Sequence, residues 1–257
     1  MSRAHAPNAP LTRADFHAAS GVLLVTREPP PAPPAVKGQP ALVSGNPAEG
    51  PEILLAVWDD GSVTALSGHV DLGTGLRTAL AQIVAEELSV GLDRVNMVLG
   101  DTTRTPNQGA TIASASIQIH ALPLRAAAAQ ARAWLLARAA TEHREAGQLD
   151  YKQLLSGQHM ELLLDLKTAV KSPEDYRLVG TSTARVDIPA KATGELTFVH
   201  DMRVPGMLHG RVVRPPYAGA DHGDFIGNTL ESVDESSIAH IPGIRAVVVI
   251  RDFVGIV

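Results

Sequence analysis

The stretch Val63-Thr64-Ala65-Leu66-Ser67-Gly68-His69-Val70-Asp71-Leu72-Gly73-Thr74-Gly75-Leu76-Arg77-Thr78-Ala79-Leu80 changes its hydrophobic period partway along. Val63 to Leu66 is a short apolar run of strand character. From Leu76 the apolar residues Leu80, Ile83, Val84 and Leu88 recur at three- and four-residue steps, with Arg77, Gln82, Glu86 and Glu87 on the other face. The spacing predicts a helix of about four turns. Upstream, Ile53 to Val57 and Val63 to Leu66 flank Asp59-Asp60-Gly61, whose Asp-Gly pair supplies the positive φ angles of a tight hairpin. Downstream, Arg94 to Leu99 returns as a strand, and Leu122 to Ala140 reads as a second, Ala-rich helix whose small side chains permit close packing. Strand, helix, strand, helix makes an α/β or α+β core. We take it as α+β, a mixed sheet with packed helices plus a second, strand-rich module.

The flanks are read from punctuation. Nine of the 18 prolines precede residue 51, and Pro29, Pro30, Pro31, Pro33 and Pro34 lack the N–H donors of a helix or ladder. Residues 1–50 therefore read as an extended arm. Within it, Leu11-Thr12-Arg13-Ala14-Asp15-Phe16 and the apolar Ala18 to Val25 have the outline of a twin-arginine export signal. The stretch has one arginine and is cut short by Arg27 and Glu28, as in an eroded signal or a plain surface arm. A helix is expected over Tyr151 to Leu166. Short β-rich runs follow at Thr183–Ile188, Leu196–Val199, Met207–Val213 and Ala246–Ile250. The expected modules are 51–175 and 176–257.

Composition excludes several functions. The 257 residues are 45% apolar and contain no cysteine, which removes thiolate metal sites, cysteine nucleophiles and any iron–sulfur cluster held by this chain alone. If electrons pass through, another subunit carries them. A net charge of −5 with dispersed lysines and arginines leaves no electrostatic footprint for nucleic acid. No apolar run approaches the ~18 residues of a membrane span, and a cytoplasmic location is expected, with the periplasm as the alternative.

Two loops are suited to a ligand. Leu72-Gly73-Thr74-Gly75 lies between a strand and a helix start, where converging N–H groups and partial positive charge favour an anion, although a simple tight turn also uses such glycines. Gly109-Ala110-Thr111-Ile112-Ala113-Ser114-Ala115-Ser116 alternates small residues and hydroxyls, and would cradle a phosphate or a heterocycle edge or else make a close strand-to-helix crossing. The glycines match neither a P-loop nor a Rossmann fingerprint. The ten histidines show no His-x-x-x-His or His–carboxylate cluster at metal spacing, so no metal ligand is expected. His69 and Asp71, flanking Val70, read as a salt-bridged pair, and Glu86, Glu87 and the Arg125/Arg132/Arg138 series as solvated side chains.

Gly68 to Ile83, Gly100-Asp101-Thr102 and Thr105-Pro106-Asn107 together resemble the molybdopterin-binding large subunit of the xanthine dehydrogenase family. A second block resembles the same subunit: Tyr176 to Gly180, Arg185-Val186-Asp187-Ile188-Pro189-Ala190-Lys191-Ala192-Thr193-Gly194 and His200 to Pro216. The second block follows the glycine loop here and precedes it in xanthine dehydrogenase itself. That permuted order is similar to the branch of nicotinate dehydrogenase and of the isoquinoline 1-oxidoreductase β subunit.

The resemblance implies a molybdenum-hydroxylase fold and hydroxylation of an N-heteroaromatic, nicotinate-like substrate, or oxidation of an aldehyde, with water as the oxygen source. It implies a molybdopterin cofactor, in the cytosine dinucleotide form, carrying molybdenum. Leu72, Gly73 and Thr74 and the run Thr111, Ile112, Ala113, Ser114, Ala115 and Ser116 would line the pterin and its phosphates. Expected partners are a small subunit with [2Fe-2S] clusters, a chain or segment carrying the rest of the molybdenum site, a small-molecule substrate, and a cytochrome as one electron acceptor. The family's glycine loop usually reads Gly-Gln-Gly where this chain has Gly73-Thr74-Gly75, exchanging an amide for a shorter hydroxyl. The family's catalytic glutamate belongs to a portion outside this sequence, so no catalytic residue is expected in it. The alternative is a noncatalytic binding or assembly protein that retains the fold.

Overall fold

The computed structural model describes residues 10–29, 50–141, 150–214 and 230–257, and Thr12 opens the first of its elements. The Thr12 hydroxyl accepts the Asp15 N–H at 3.2 Å while the Asp15 carboxylate accepts the Thr12 N–H at 2.8 Å, a reciprocal cap for α1 (Arg13–Ala18). The chain continues through β1 (Val22–Arg27), β2 (Glu52–Trp58), β3 (Val63–Ser67), α2 (Leu76–Leu88) and β4 (Val95–Leu99). It then forms α3 (Ser116–Thr141), α4 (Tyr151–Leu155), β5 (His159–Leu163), α5 (Ile188–Ala192), β6 (Arg211–Val213), β7 (Val247–Ile250) and β8 (Phe253–Ile256). Contacts divide the chain into two compact units, Met1–Leu196 and Thr197–Val257.

The first unit is built on a mixed five-stranded sheet in the order β4-β3-β2-β1-β5. The expected hairpin is β2 and β3, antiparallel with Leu55 opposite Ala65 and Val57 opposite Val63. Gly61, at φ 76°, supplies its left-handed turn residue. Crossover through α2 brings β4 parallel to β3. One face of the sheet, with Leu23, Leu55, Val57 and Ala65, packs under Leu80 and Val84 of α2 and Leu124, Ala127, Ala128, Ala131 and Leu135 of α3. Phe16 of α1 covers Val22, Leu24, Ile53, Ala56 and Leu66 on the other. Each fully buried leucine contributes about 1.5–3 kcal/mol.

Four expectations are corrected here. The stretch read as part of an extended arm is α1 and an interior strand. Val22 to Val25 are wholly buried between β2, antiparallel, and β5, parallel, and a strand covered on both faces reads as the continuous apolar run that also resembles a signal. Of that arm, residues 1–9 and 30–49, with most of its prolines, lie outside the described residues. The helix expected over Tyr151 to Leu166 ends at Leu155. Gly157, at φ 68°, breaks it, and the chain joins the free edge of β1 as β5, whose burial alternates residue by residue. The runs Thr183–Ile188 and Leu196–Val199 are not strands. The Val186 N–H is given to the Thr78 hydroxyl of α2 at 3.0 Å, and α5 begins at Ile188. α3 in turn starts at Ser116, ahead of Leu122, and carries Pro123 within it.

The second unit contains a small antiparallel sheet in the order β6-β8-β7. The architecture is α+β. Among the described residues no helix is long and apolar enough to cross a membrane.

Glu86 and Glu87 are not solvated. Both are only 2% exposed. One Glu86 oxygen accepts the N–H groups of Arg177, Leu178 and Val179 at 2.8, 2.5 and 3.1 Å, and the other meets Lys171 Nζ at 2.9 Å. Glu87 pairs with Arg125 Nε at 2.7 Å and accepts the Lys171 N–H at 3.0 Å, so Arg125 also belongs to a part-buried network. These carboxylates bind segment 171–179 to α2. Burial pushes the Glu86 carboxyl upward, but the Leu178 N–H, Lys171 and the Arg177 and Val179 N–H groups outweigh it and hold its pKa at about 2. The stabilisation is therefore full above the ordinary value of 4.5 and is lost as pH falls toward 2. Glu86→Gln is expected to lower stability by about 2 kcal/mol at pH 7 and to flatten the loss between pH 4.5 and 2, both measured by urea unfolding. An unchanged acid limb would contradict this role.

Candidate functional site

The glycine loop between β3 and α2 is organised by its own Asp71. One carboxylate oxygen accepts the Gly73 and Gly75 N–H groups at 2.9 and 3.2 Å, and the other accepts the Arg77 N–H at 3.0 Å. Burial pushes the Asp71 pKa up, yet the N–H groups of Arg77, Gly73 and Gly75 hold it below the usual carboxylate value. Asp71 is thus an ionised, built-in cap for α2. This corrects one reading: among the described residues Asp71 bonds to its own loop and does not pair with His69, and its carboxylate already takes three N–H groups that an external anion would otherwise meet. From the other side, Arg185 donates to the Gly73 carbonyl at 2.8 Å while its guanidinium grips Asp187 at 3.0 and 2.6 Å. Leu72, Gly73 and Thr74 are left exposed at the apex. At Gly73, φ is 100° and a Cβ would find no atom within 4 Å among the described residues beyond its chain neighbours, so a bulky group could approach its backbone closely.

The second loop, from Gly100 to Ala115, lies beside the first. The Asp101 carboxylate gathers the Thr103 N–H and hydroxyl and the Arg104 N–H and guanidinium. Burial alone would raise its pKa, but the Thr103 and Arg104 contacts lower it to about 2. Gln108 then fastens the two loops. Its carbonyl accepts the Gly68 N–H at 2.9 Å and the Ser67 hydroxyl at 3.3 Å, and its amide donates at 3.0 Å to Glu52, which pairs with Arg27 at 2.7 Å. A side chain at Gly68 would collide with the Pro106 carbonyl, so the close approach requires glycine. Further along, the Val70 N–H donates to the Thr111 hydroxyl at 2.9 Å, and His69 Nδ1 lies 2.8 Å from the Ser116 hydroxyl.

The structure therefore brings Leu72, Gly73 and Thr74 into the same neighbourhood as Thr111 to Ser116. Ile112, Ala113 and Ser114 are exposed, while Thr111, Ala115 and Ser116 are half-buried. Ala113 and Ser114 both hold left-handed backbones, at φ 55° and 53°, a strain of about 1 kcal/mol or more each that their surroundings sustain.

Beneath the loops His69 and His120 are each 2% exposed and stack edge to face with ring centroids 4.2 Å apart. Burial, then repulsion from His69 when that ring is protonated and from the Arg27 charge, lower the His120 pKa to about 4; burial also lowers that of His69. Both imidazoles are neutral near pH 7. His120 Nε2 finds no hydrogen-bond partner among the described residues. Gln108, His120 and Arg185 are the site residues the sequence reading missed in this role. The Arg185-x-Asp187 spacing was the one local signal, and the partners of the other two are remote in sequence. The arrangement can position a ligand against backbone and hydroxyl groups.

Comparison with known proteins gives one consistent result. Residues 34–197 match the molybdopterin cofactor-binding domain. The chain is 54% identical over 263 residues to a subunit of nicotinate dehydrogenase from Pseudomonas putida, an alignment covering 96% of this chain and 22% of that protein. It is 27% identical to the β subunit of isoquinoline 1-oxidoreductase from Brevundimonas diminuta, over 82% of this chain and 33% of the relative. It is 25% identical to a membrane-bound aldehyde dehydrogenase [pyrroloquinoline-quinone] of Gluconacetobacter polyoxogenes, over 81% of this chain and 29% of that protein. The chain thus spans between about a fifth and a third of the length of these curated relatives.

The buried imidazole makes the site acid-sensitive. Because the His120 pKa is depressed on folding, its neutral form contributes stability that is full above 6.5 and lost as pH falls through about 4. His120→Leu should reduce that loss by on the order of 2 kcal/mol, read as the pH dependence of urea unfolding. A variant with the acid sensitivity of the parent would contradict the assignment.

Proposed function

The chain belongs to the molybdopterin cofactor-binding domain family, and from that membership we propose that it supplies one wall of the cofactor cradle in a molybdenum hydroxylase large subunit. The observation that carries the reading is the adjacency of the two loops, fastened through Gln108, Thr111 and Ser116.

The residues present fit a large, partly apolar group with a polar tail. Among the described residues an added Cβ at Gly73 or Gly109 would meet nothing within 4 Å beyond its chain neighbours. Exposed apolar side chains at Leu72, Ile112, Ile117 and Ile119 border polar hydroxyls. Leu72, Gly73 and Thr74 would hold the cofactor from one side and Thr111, Ile112, Ala113, Ser114, Ala115 and Ser116 from the other. With the start of α2 closed by Asp71, contacts to a phosphate fall to the Thr111–Ser116 run at the start of α3. When bound, the cofactor supplies two-electron oxidation chemistry in which water is the oxygen source. This chain's residues bind and orient it: Asp71 and Arg185 fix the glycine loop, Gln108 fixes the second loop to the sheet, and the neutral imidazoles keep charge out of the floor.

The reading extends to the assembly. Nicotinate and isoquinoline in the relatives' names favour an N-heteroaromatic substrate over an aldehyde. The cytosine dinucleotide form of the cofactor, a small subunit carrying [2Fe-2S] clusters, a chain or segment bearing the rest of the molybdenum site, and a cytochrome acceptor complete the proposal. The absence of cysteine from this sequence agrees with electron carriers held elsewhere. A cytoplasmic assembly is part of this proposal, and the burial of Val22 to Val25 agrees with that stretch being retained in the folded protein.

The test is cofactor retention in the assembled complex. Ser114→Asp brings charge and bulk to the exposed loop and should lower molybdenum per complex at least fivefold, by metal analysis, without dissociating the complex on native mass spectrometry. Ser114→Ala should retain molybdenum. Unchanged occupancy in Ser114→Asp would overturn the cradle assignment.

A further inference from the structure

On the face of the first unit where α1 meets β5, three side chains converge that sequence spacing does not connect. His17 ends α1, whereas His159 and Glu161 stand two apart on β5 and so share its outward face. His17 Nδ1 lies 3.4 Å from the Glu161 carboxylate, and His159 Nε2 lies 3.8 Å from the same oxygen. One ligand atom from each residue falls within 4.8 Å of the others. In a tetrahedral zinc site with bonds of about 2.1 Å, neighbouring ligand atoms are about 3.4 Å apart, so closure needs shifts of an ångström or so at side-chain tips.

The tautomer is already set for this use. His159 Nδ1 lies 2.8 Å from the Ala19 carbonyl, which can only accept a hydrogen bond, so Nδ1 carries a proton and Nε2, on the Glu161 side of the ring, is the nitrogen left to bind an ion. A ring N–H given to a backbone carbonyl is the arrangement that orients metal-ligating imidazoles. The three side chains are 39, 30 and 36% exposed, which leaves room for water as a further ligand.

We propose that His17, His159 and Glu161 form a binding site for a divalent metal ion of the zinc class. Two imidazoles and one carboxylate suit borderline ions and not calcium or magnesium, which take oxygen ligands. The site joins α1 to the edge strand β5, and the ion clamps the N-terminal segment to the sheet. It shares no residue with the cofactor loops, and zinc binding and cofactor retention are read separately, so failure of one assignment is distinguishable from failure of the other. Spacing along the sequence does not reveal this grouping, because His17 meets His159 and Glu161 only in the folded chain.

The full chain, stripped with a chelator, is titrated with zinc alone by calorimetry and with cobalt(II) by visible absorption. The expected result is one site, a zinc-dependent rise of several degrees in melting temperature, and a cobalt spectrum of four- or five-coordinate nitrogen and oxygen ligation. His159→Ala and Glu161→Gln should each weaken zinc binding at least tenfold and abolish the melting shift. His17→Gln, on the exposed end of α1, gives the same readout if a β5 variant fails to fold. Zinc affinity equal to the parent in His17→Gln and either β5 variant would overturn the proposal, as would no uptake at micromolar zinc, which would leave the three residues as a metal-free ion-pair cluster.

Discussion

The half-buried carboxamide of Gln108 is the constraint on which the site rests. It satisfies the Gly68 N–H with one end and Glu52 with the other, and Glu52 answers Arg27, its register partner across β1 and β2. A break in this relay would leave polar groups without partners at about 1–3 kcal/mol for each that is buried. The second loop is therefore tied through one side chain to the sheet, and its position is inherited from two largely buried strands. It also explains why β1 matters to the ligand wall: Arg27 at its end completes the charge balance of the relay.

Inward-facing carboxylates recur through the first unit as organisers of backbone. Asp71, Glu86 and Asp101 each collect several N–H groups, and in each the donors overcome the burial that would otherwise favour the neutral acid. The consequence for function is a division of labour. The Gly73, Gly75 and Arg77 N–H groups are taken up in holding the glycine loop, while the apex residues Leu72, Gly73 and Thr74 and the exposed part of the second loop remain outward. A rigid loop with an exposed glycine can place a flat ring system closely at little entropic cost.

Local signals made much of this legible in the sequence. The Asp59-Asp60-Gly61 turn, the three- and four-residue apolar steps of α2 and the β4 run each carry their own pattern, and the structure contains them as the hairpin, helix and parallel strand. What failed depended on remote partners. Val22 to Val25 look alike as a signal or a buried strand until β2 and β5 flank them. Glu86 and Glu87 look solvated on a helical wheel because the N–H groups that claim Glu86 lie about ninety residues later. The alternation of β5 was visible in His159, Met160, Glu161 and Leu162, but the neighbouring apolar residues suggested helix. Of the loop residues, position was legible from small-residue spacing, whereas the closure of the helix start by Asp71 required coordinates.

The central claim is that two loops from different crossovers act as one wall against one bound group. Hydrogen exchange of the assembled complex, followed by mass spectrometry with and without molybdopterin cofactor, addresses it most directly. The account predicts that peptides covering residues 68–75 and 109–117 slow together on loading while the β2–β3 hairpin is unchanged. Protection of only one loop, or of neither, would contradict it.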